Sequence, residues 1–396
     1  MRIGTANVYE SALDQLAKRQ NDMLSHQEQL SSGLRVNRAS DDPIAAAHAE
    51  RAMVRLNRID TDQRALETQR SALSSAEAGL GEALARMQDL RELVVAAGNP
   101  GFGPVDRNML ATQISSLRDQ IFAIANRTDS NGVPLFGGLG SVGAPFADIP
   151  AGVMFQGASG QRAATTTALP GAMNGQAIWM DVPSGNRNFA VALGSANTGG
   201  VWTHPGHVVS PSMLTGQDYR IDFTVTAGVA TYDVVNTTTA ATILSAQPYT
   251  SGAPIQFDGL SLLPQGAPAD GDSLVITPST ALNMFNLLDA TVNSIDNAPS
   301  DNKLSHALAL SLAQIDTGME RLQSARGQAG DWLNRADSIT DAQSARSLAL
   351  QSDLSRAVDA DMAKAISDFT KSQTGYQAAL QSYAQIQRLS LFNYIN

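Results

Sequence analysis

Apolar positions near both ends of the chain recur at helical spacing. Tyr9, Leu13, Leu16, Gln20, Met23, Gln27, Leu30 and Leu34 advance by alternating steps of four and three, the period of roughly 3.5 residues that marks a coiled-coil seam. Further on, Ile59, Leu66, Leu73, Leu80, Met87 and Val94 fall seven apart, with Ala76, Ala83, Leu90 and Ala97 three residues after the later members. A third helix is predicted over about 105–128, with Leu110, Ile114, Leu117, Ile121 and Ile124 on one side. In the second half, Leu308, Leu312, Ile315, Met319, Leu322, Ala329, Leu333 and Ala336 keep the same step, with Arg326 inside the line. Met362, Phe369, Tyr376 and Tyr383 are again seven apart, and Ile366 and Leu380 follow Met362 and Tyr376 by four. Seams at both ends require the chain to return on itself to pair them.

The first seam is diluted by Gln20 and Gln27, and helices draw most of their stability from tertiary burial. It therefore needs the helix that starts at Met362, or neighbouring molecules, beside it. Gly33 can take the positive φ that ends a helix, and Asp42 followed by Pro43 suits the cap and first position of the next one. Gly33, Asp42 and Pro43 thus form a joint between the terminal segment and a main bundle.

Between Ser141 and Ser279 there is no Lys and no Glu, only three Arg (Arg162, Arg187, Arg220) and eight Asp among many Gly, Thr, Ser, Asn and Pro. Short runs bounded by turn residues read as strands: VMFQG, AIWMDV, NFAVAL, YRIDFTVTAGVATYDVV turning at Gly228, PIQFDGL and SLVITP. The predicted fold is mainly α, a discontinuous long-helix coiled-coil bundle formed by both chain ends with an inserted β-rich middle domain. The expected division is 1–40 with 356–396 as a terminal helical domain, 41–140 with 280–355 as the bundle, and 141–279 as the insert.

Composition narrows the function classes. The 396 residues are 43% hydrophobic but only 5% aromatic, so packing is mostly aliphatic. A net charge of -10 and a pI near 4.9 argue against sequence-independent binding to nucleic acid, which needs a basic face. There is no cysteine, which removes disulfides, thiolate nucleophiles and cysteine zinc sites together. The start MRIGTANVYESALDQ lacks the basic-then-apolar order of a cleavable leader, and no run of about 18 apolar residues occurs. The expectation is a chain that neither spans a membrane nor uses the general secretory route.

Candidate chemistry is sparse. Gly138 to Gly143 matches G-x-G-x-x-G, but it follows a helix and a turn rather than a strand, which suits a connection better than a dinucleotide site. His204-Pro205-Gly206-His207 places two imidazoles close together, without a carboxylate cluster to complete a metal site. His26, His48 and His306 lie in predicted helices with no triad pattern. Asp270 and Asp272 could pair as acid and base, although D-G-D is also a turn. Asn126-Arg-Thr and Asn236-Thr-Thr match the glycosylation sequon, a pattern short enough to arise by chance. No catalytic, cofactor or metal residues are assigned.

The stretches LSSGLRVNRASDDP from Leu30, NGVPLFGG at Asn131 to Gly138 and LSLFNYIN at Leu389 to Asn396 resemble the terminal signatures of the flagellin family. The resemblance covers about residues 1–140 and 280–396 and does not extend to the β-rich middle. Pro43 after Asp41 and Asp42, Leu135-Phe136-Gly137-Gly138 and Phe392-Asn393-Tyr394-Ile395 are similar to the family members at the hook-filament junction more than to its filament subunits. Pro134 departs from the bulky aromatic expected there.

The resemblance implies a non-catalytic protein exported unfolded through the flagellum's own secretion apparatus, which accounts for the missing leader and the missing cysteine together. It also implies termini that are disordered in the monomer and fold on assembly. The implied partners are other copies of the chain in a ring, flagellin, hook-associated protein 1 and an export chaperone, with no nucleic acid and no membrane insertion. The chaperone would grip the face of Met362, Phe369, Tyr376, Leu380 and Tyr383, as a groove grips an amphipathic helix.

The expected assembly interface comprises Leu13, Leu16, Met23, Leu30 and Leu34 at one end. At the other it comprises Met362, Ile366, Phe369, Tyr376, Leu380, Tyr383, Leu389, Leu391, Phe392 and Tyr394. The aromatics among them exceed what a two-helix seam needs, which favours contact between molecules, with packing inside one molecule as the alternative. The central heptads read as an intramolecular core. Two other functions stay open at this point: a flagellin that polymerises on itself, and an enzyme with its site in the middle domain.

Overall fold

A computed structural model describes residues 5–392. Six α-helices frame the chain: α1 (Thr5–Ser32), α2 (Pro43–Ala97), α3 (Pro104–Ala125), α4 (Met284–Asp296), α5 (Asp301–Val358) and α6 (Met362–Phe392). All regular strands among the described residues lie between α3 and α4. The fold is the mainly α arrangement that the periodicity predicts, with its β-rich insert in the expected place. Two compact units are present, one of residues 1–64 with 339–396 and one of residues 65–338. Their boundaries fall inside α2 and α5, because the heptads run through 59–66 and 336–343 without a break that would end a helix.

In the larger unit the heptad line of α2 is core: Leu66, Leu73, Leu80, Met87 and Val94 are fully buried. Ile315, Leu322, Ala329 and Ala336 of α5 are buried likewise. Arg326, which interrupts the α5 line, stays at the edge of the core. Its Nε donates to Glu77 Oε1 of α2 at 2.6 Å, and its guanidinium lies over Gly81, where a Cβ would come 3.5 Å from Cζ. Helix α3 buries Ala111, Ile114, Arg118, Ile121 and Ile124, while Leu110 and Leu117 are half-buried.

Helix α4 was not expected from the periodicity. Its cap is Asn283, whose side chain accepts from Phe285 N at 2.9 Å, and it buries Met284, Phe285, Leu287, Leu288, Thr291 and Ile295.

The insert centres on a five-stranded antiparallel sheet in the order 189–193, 273–278, 219–226, 229–236, 241–248. Strand 219–226 alternates as a half-buried strand should, with Tyr219, Ile221 and Phe223 inside and Arg220 and Thr224 outside. It turns into 229–236 at Ala227 and Gly228, both at positive φ, the two-residue geometry that suits a twisted hairpin. The edge strand Ala241–Pro248 is exposed along most of its length and was not predicted. Of the predicted runs, AIWMDV is mostly a single π-turn, Gln176–Met180, rather than a strand. The fully buried Trp179 explains it: the turn points the indole into an aromatic cluster, at 5.6 Å from Phe136 and 5.8 Å from Phe285.

Phe122, Phe146 and Phe155 complete this cluster. Arg118 lies over it, 5.5 Å from the Phe122 centroid, and pairs with Asp289 at 3.0 Å and with Asp148. Burial works against its charge, but the two carboxylates outweigh it and hold the guanidinium above its ordinary range.

Candidate assembly interface

Helices α1 and α6 pack against each other in the smaller unit. Gly33 lies beside Ala360, whose N–H donates to the Gly33 carbonyl at 2.9 Å, and Arg19 lies beside Gly375. The two helices are therefore antiparallel, as the return of the chain requires. A Cβ at Gly375 would stand 2.6 Å from Arg19 Nη1, the mobile end of an exposed side chain, so the glycine marks the line of approach.

Each terminal helix divides its apolar residues between two sides. Leu16, Met23 and Leu30 of α1, and Phe369, Tyr376 and Tyr383 of α6, are half-buried along the line where the helices meet. Leu13 and Leu24, both 51% exposed, and Met362, Ile366 and Leu380, at 45%, 54% and 43%, face outward. The sequence grouped Met362, Ile366 and Leu380 with the Phe369–Tyr376–Tyr383 line as one seam, whereas the structure separates them. Among the described side chains of the pair, Ala365 alone is fully buried. The outward residues among those described leave apolar area uncovered. Leu389, Leu391 and Phe392 lie in the last turns of α6, and Tyr394 lies outside the described residues.

The joint is held by short polar contacts. Gly33 takes φ +71, and its N–H donates to Gln29 O at 2.9 Å, closing α1. Leu34, half-buried, bridges to Asp359 on the returning chain. Asp42 Oδ1 accepts from Ala45 N at 3.0 Å, with Pro43 as the first residue of α2. That amide, and then Arg35, whose Nη1 is 3.1 Å from Asp42 Oδ2, hold the Asp42 carboxyl below its usual range. Arg35 also donates to Ala357 O at 2.7 Å, so one guanidinium ties both crossings of the joint. Asp41 Oδ2 accepts from Asn37 N and Arg38 N, and Asp361 Oδ1 accepts from Lys364 N at 3.1 Å to cap α6.

Sequence reasoning found Gly33, Asp42 and Pro43 but missed Arg35, Asp359 and Asp361. The Asp-Met-Ala-Lys stretch at Asp361 was the available signal, a capping carboxylate just before an apolar-periodic run. Below the joint, Leu34, Val36, Met53, Leu354 and Val358 help line an open groove of about 540 Å³.

The other motifs resolve into structure. Gly138 sits at φ +67, where a Cβ would lie 2.2 Å from Ala158 O, and Leu139 N donates to that same carbonyl. The glycine-rich stretch is thus packed against 158–160. Asp272 is buried and accepts from Thr198 N, Gly199 N and Ala269 N, while Asp270 accepts from Val225 N. Both carboxylates serve turn amides. Asn126 and Asn236 are used internally, Asn126 by both backbone groups of Phe146 and Asn236, buried, by Gln217. His204 stacks edge-on with Trp202 at 4.9 Å, and His207 is exposed in a short strand. No cluster of three or more metal-ligating side chains occurs among the described residues, and no described helix is long and apolar enough to cross a membrane.

A long-helix frame with paired chain ends and an insert between them defines a class. The bacterial flagellin N-terminal helical region matches residues 3–141, and the bacterial flagellin C-terminal helical region matches residues 312–395. The chain belongs to the flagellin family. Flagellar hook-associated protein 3 of Escherichia coli (strain K12) is 25% identical over 400 residues, covering 99% of this chain and 99% of its own. The crystal structure of flagellar hook-associated protein 3 from Legionella pneumophila aligns with a TM-score of 0.73 and 27% identity, over 78% of this chain and 98% of that one. A flagellin of Clostridium tyrobutyricum is 24% identical over 383 residues, 95% of this chain and 96% of its own. Within the family, the chain is a homologue of hook-associated protein 3 along its full length.

Proposed function

We propose that the chain is the structural adapter between hook and filament, assembled through its terminal helices and without catalysis. The observation that carries this reading is the two-sided α1–α6 pair, which meets along Leu16, Met23, Phe369 and Tyr376 and leaves Leu13, Leu24, Met362, Ile366 and Leu380 uncovered. A closed monomer would have no use for that second face. In a tube, the outward residues of one subunit meet neighbouring copies, and a head-to-tail repeat gives two unlike ends. One end receives hook-associated protein 1 and the other presents a surface on which flagellin builds. Residues 1–40 and 356–396 form the wall-building part, 41–140 with 280–355 the supporting bundle, and 141–279 the insert.

Gly33, Asp42 and Pro43 end α1 and start α2, so the wall-building pair is connected to the bundle through this short joint. Before export, the C-terminal apolar face is the surface for the flagellar chaperone. Pro43 and the LFGG of Leu135 to Gly138 favour the adapter over the filament subunit, and the agreement with hook-associated protein 3 in both sequence and fold supports the same choice.

The test is to add the purified chain to isolated hooks that carry hook-associated protein 1, and separately to incubate it alone. The adapter adds a short zone to the hooks, stops, and then supports flagellin growth. Long filaments from the chain alone would instead make it a flagellin.

A further inference from the structure

His306, on the second turn of α5, is 5% exposed and faces the insert. Its Nδ1 is 2.8 Å from the carbonyl oxygen of Thr203. A carbonyl only accepts, so Nδ1 carries the proton and donates it. Nε2 is buried with no hydrogen-bond partner. One turn earlier, Asn302 Nδ2 donates to Gly199 O at 3.1 Å. The loop 197–204 is thus fastened to α5 at two points, while Asp272 holds it from within the insert through the amides of Thr198 and Gly199.

We propose that His306 is an acid-released fastener between helix α5 and the 197–204 loop of the β-rich insert. The fastened state needs a neutral ring, because a second proton would place a charge in a site where the ring is only 5% exposed. Burial drives the ring toward the neutral form, outweighing the carbonyls of Thr203 and Val191, which favour the proton. His204, on the loop itself, is the titratable neighbour whose charge acts on the ring, and it acts in the same direction as burial. On α5, Asp301 is engaged by Arg107 at 3.2 Å, and on the insert the Asp272 carboxylate is committed to backbone amides, so neither neutralises a charged ring. Lys303, the other charged group on this stretch of α5, carries the same sign as a protonated ring. The ring's affinity for protons is lowered by folding, so the contact is fully present above the free imidazole value of 6.5 and is lost as pH falls below it. Acid thereby frees the loop while the α2 heptad line of Leu66, Leu73, Leu80, Met87 and Val94, all of it apolar, stays closed.

The test is hydrogen exchange of the full chain at about pH 7.5 and about pH 5, corrected for the intrinsic rate, and compared with His306→Gln and His204→Gln. In the parent, protection over 197–207 and the first turns of α5 falls by up to about tenfold per pH unit below the imidazole range, with the α2 heptads unchanged. His306→Gln, whose amide donates without titrating, removes the pH dependence, and His204→Gln keeps it. A parent whose 197–207 protection ignores pH, or a His306→Gln chain with the parent's pH dependence, overturns the proposal. Because the first comparison uses the unmodified chain, it stands even where a variant folds poorly.

Discussion

Ile366→Asp separates the two sides of α6 most cleanly. Ile366 is 54% exposed in the α1–α6 pair, and a surface substitution of this kind changes the stability of a single molecule by no more than about 0.5 kcal/mol. In the proposed assembly a neighbour would cover the exposed half of the side chain, and losing that burial would cost about 1 kcal/mol. Enclosing a carboxylate without a partner adds about 3 kcal/mol more. The sum of about 4 kcal/mol per contact corresponds to roughly a thousand-fold weaker incorporation. The assay pairs thermal melting of the purified chain with the fraction of isolated hooks that acquire the junction zone and then elongate with flagellin. The expected result is an unchanged Tm with hooks that fail to elongate. A Tm that drops along with incorporation places Ile366 in the monomer's core, and normal incorporation removes the outward face of α6 from the interface; either result refutes the reasoning.

Other expected outcomes follow from the same division. Leu80→Ala, on the fully buried heptad line of α2, should cost about 2–5 kcal/mol in chemical denaturation, unlike Ile366→Asp. Gly138→Ala forces a Cβ to 2.2 Å from Ala158 O at φ +67, so the variant should lose stability by at least about 1–3 kcal/mol, read as a lower Tm. Asp42→Ala should raise amide exchange over 35–46 at neutral pH. The native Asp42 contribution is present above the ordinary carboxylate range and lost as acid protonates the group, so the difference from the parent should shrink at low pH. In the free monomer, amides of 1–40 and 356–396 should exchange much faster than those of the α2 heptads, and equal protection would argue for a closed monomer.

How much of this was legible depended on which physical signal each element carried. Heptads announce themselves, so α2 and α5 were readable from Leu66 to Val94 and from Leu308 to Ala336. Gly33 and Asp42-Pro43 were readable because turn and cap chemistry is local. Helix α4, though not predicted, was legible too, since Met284, Leu287, Leu288, Thr291 and Ile295 keep helical spacing behind the Asn283 cap; what the sequence could not show is that Phe285 enters an aromatic cluster assembled from distant segments. Trp179 was misread for the same reason: A-I-W-M looks like a strand until Phe136 and Phe285 are known to surround it. The two sides of α6 were indistinguishable in sequence, since Met362 shares the seven-residue step with Phe369, and only the partial burial of Phe369, Tyr376 and Tyr383 against α1 separates them.

The insert leaves and rejoins the bundle at nearly one place. Asn126, at the end of α3, holds Phe146 by both backbone groups, while Asn283 and Asn286, at the start of α4, hold Val153. Three asparagines therefore act as a socket for the first hairpin, and everything from there to the cap of α4 is a cassette plugged into it. The same insert is also tied to α2 through Gln69 and to α5 through Asn302, His306, Arg321 and Arg335, so a sheet of another size, order or surface could be exchanged in that socket only where those few ties are kept or rebuilt.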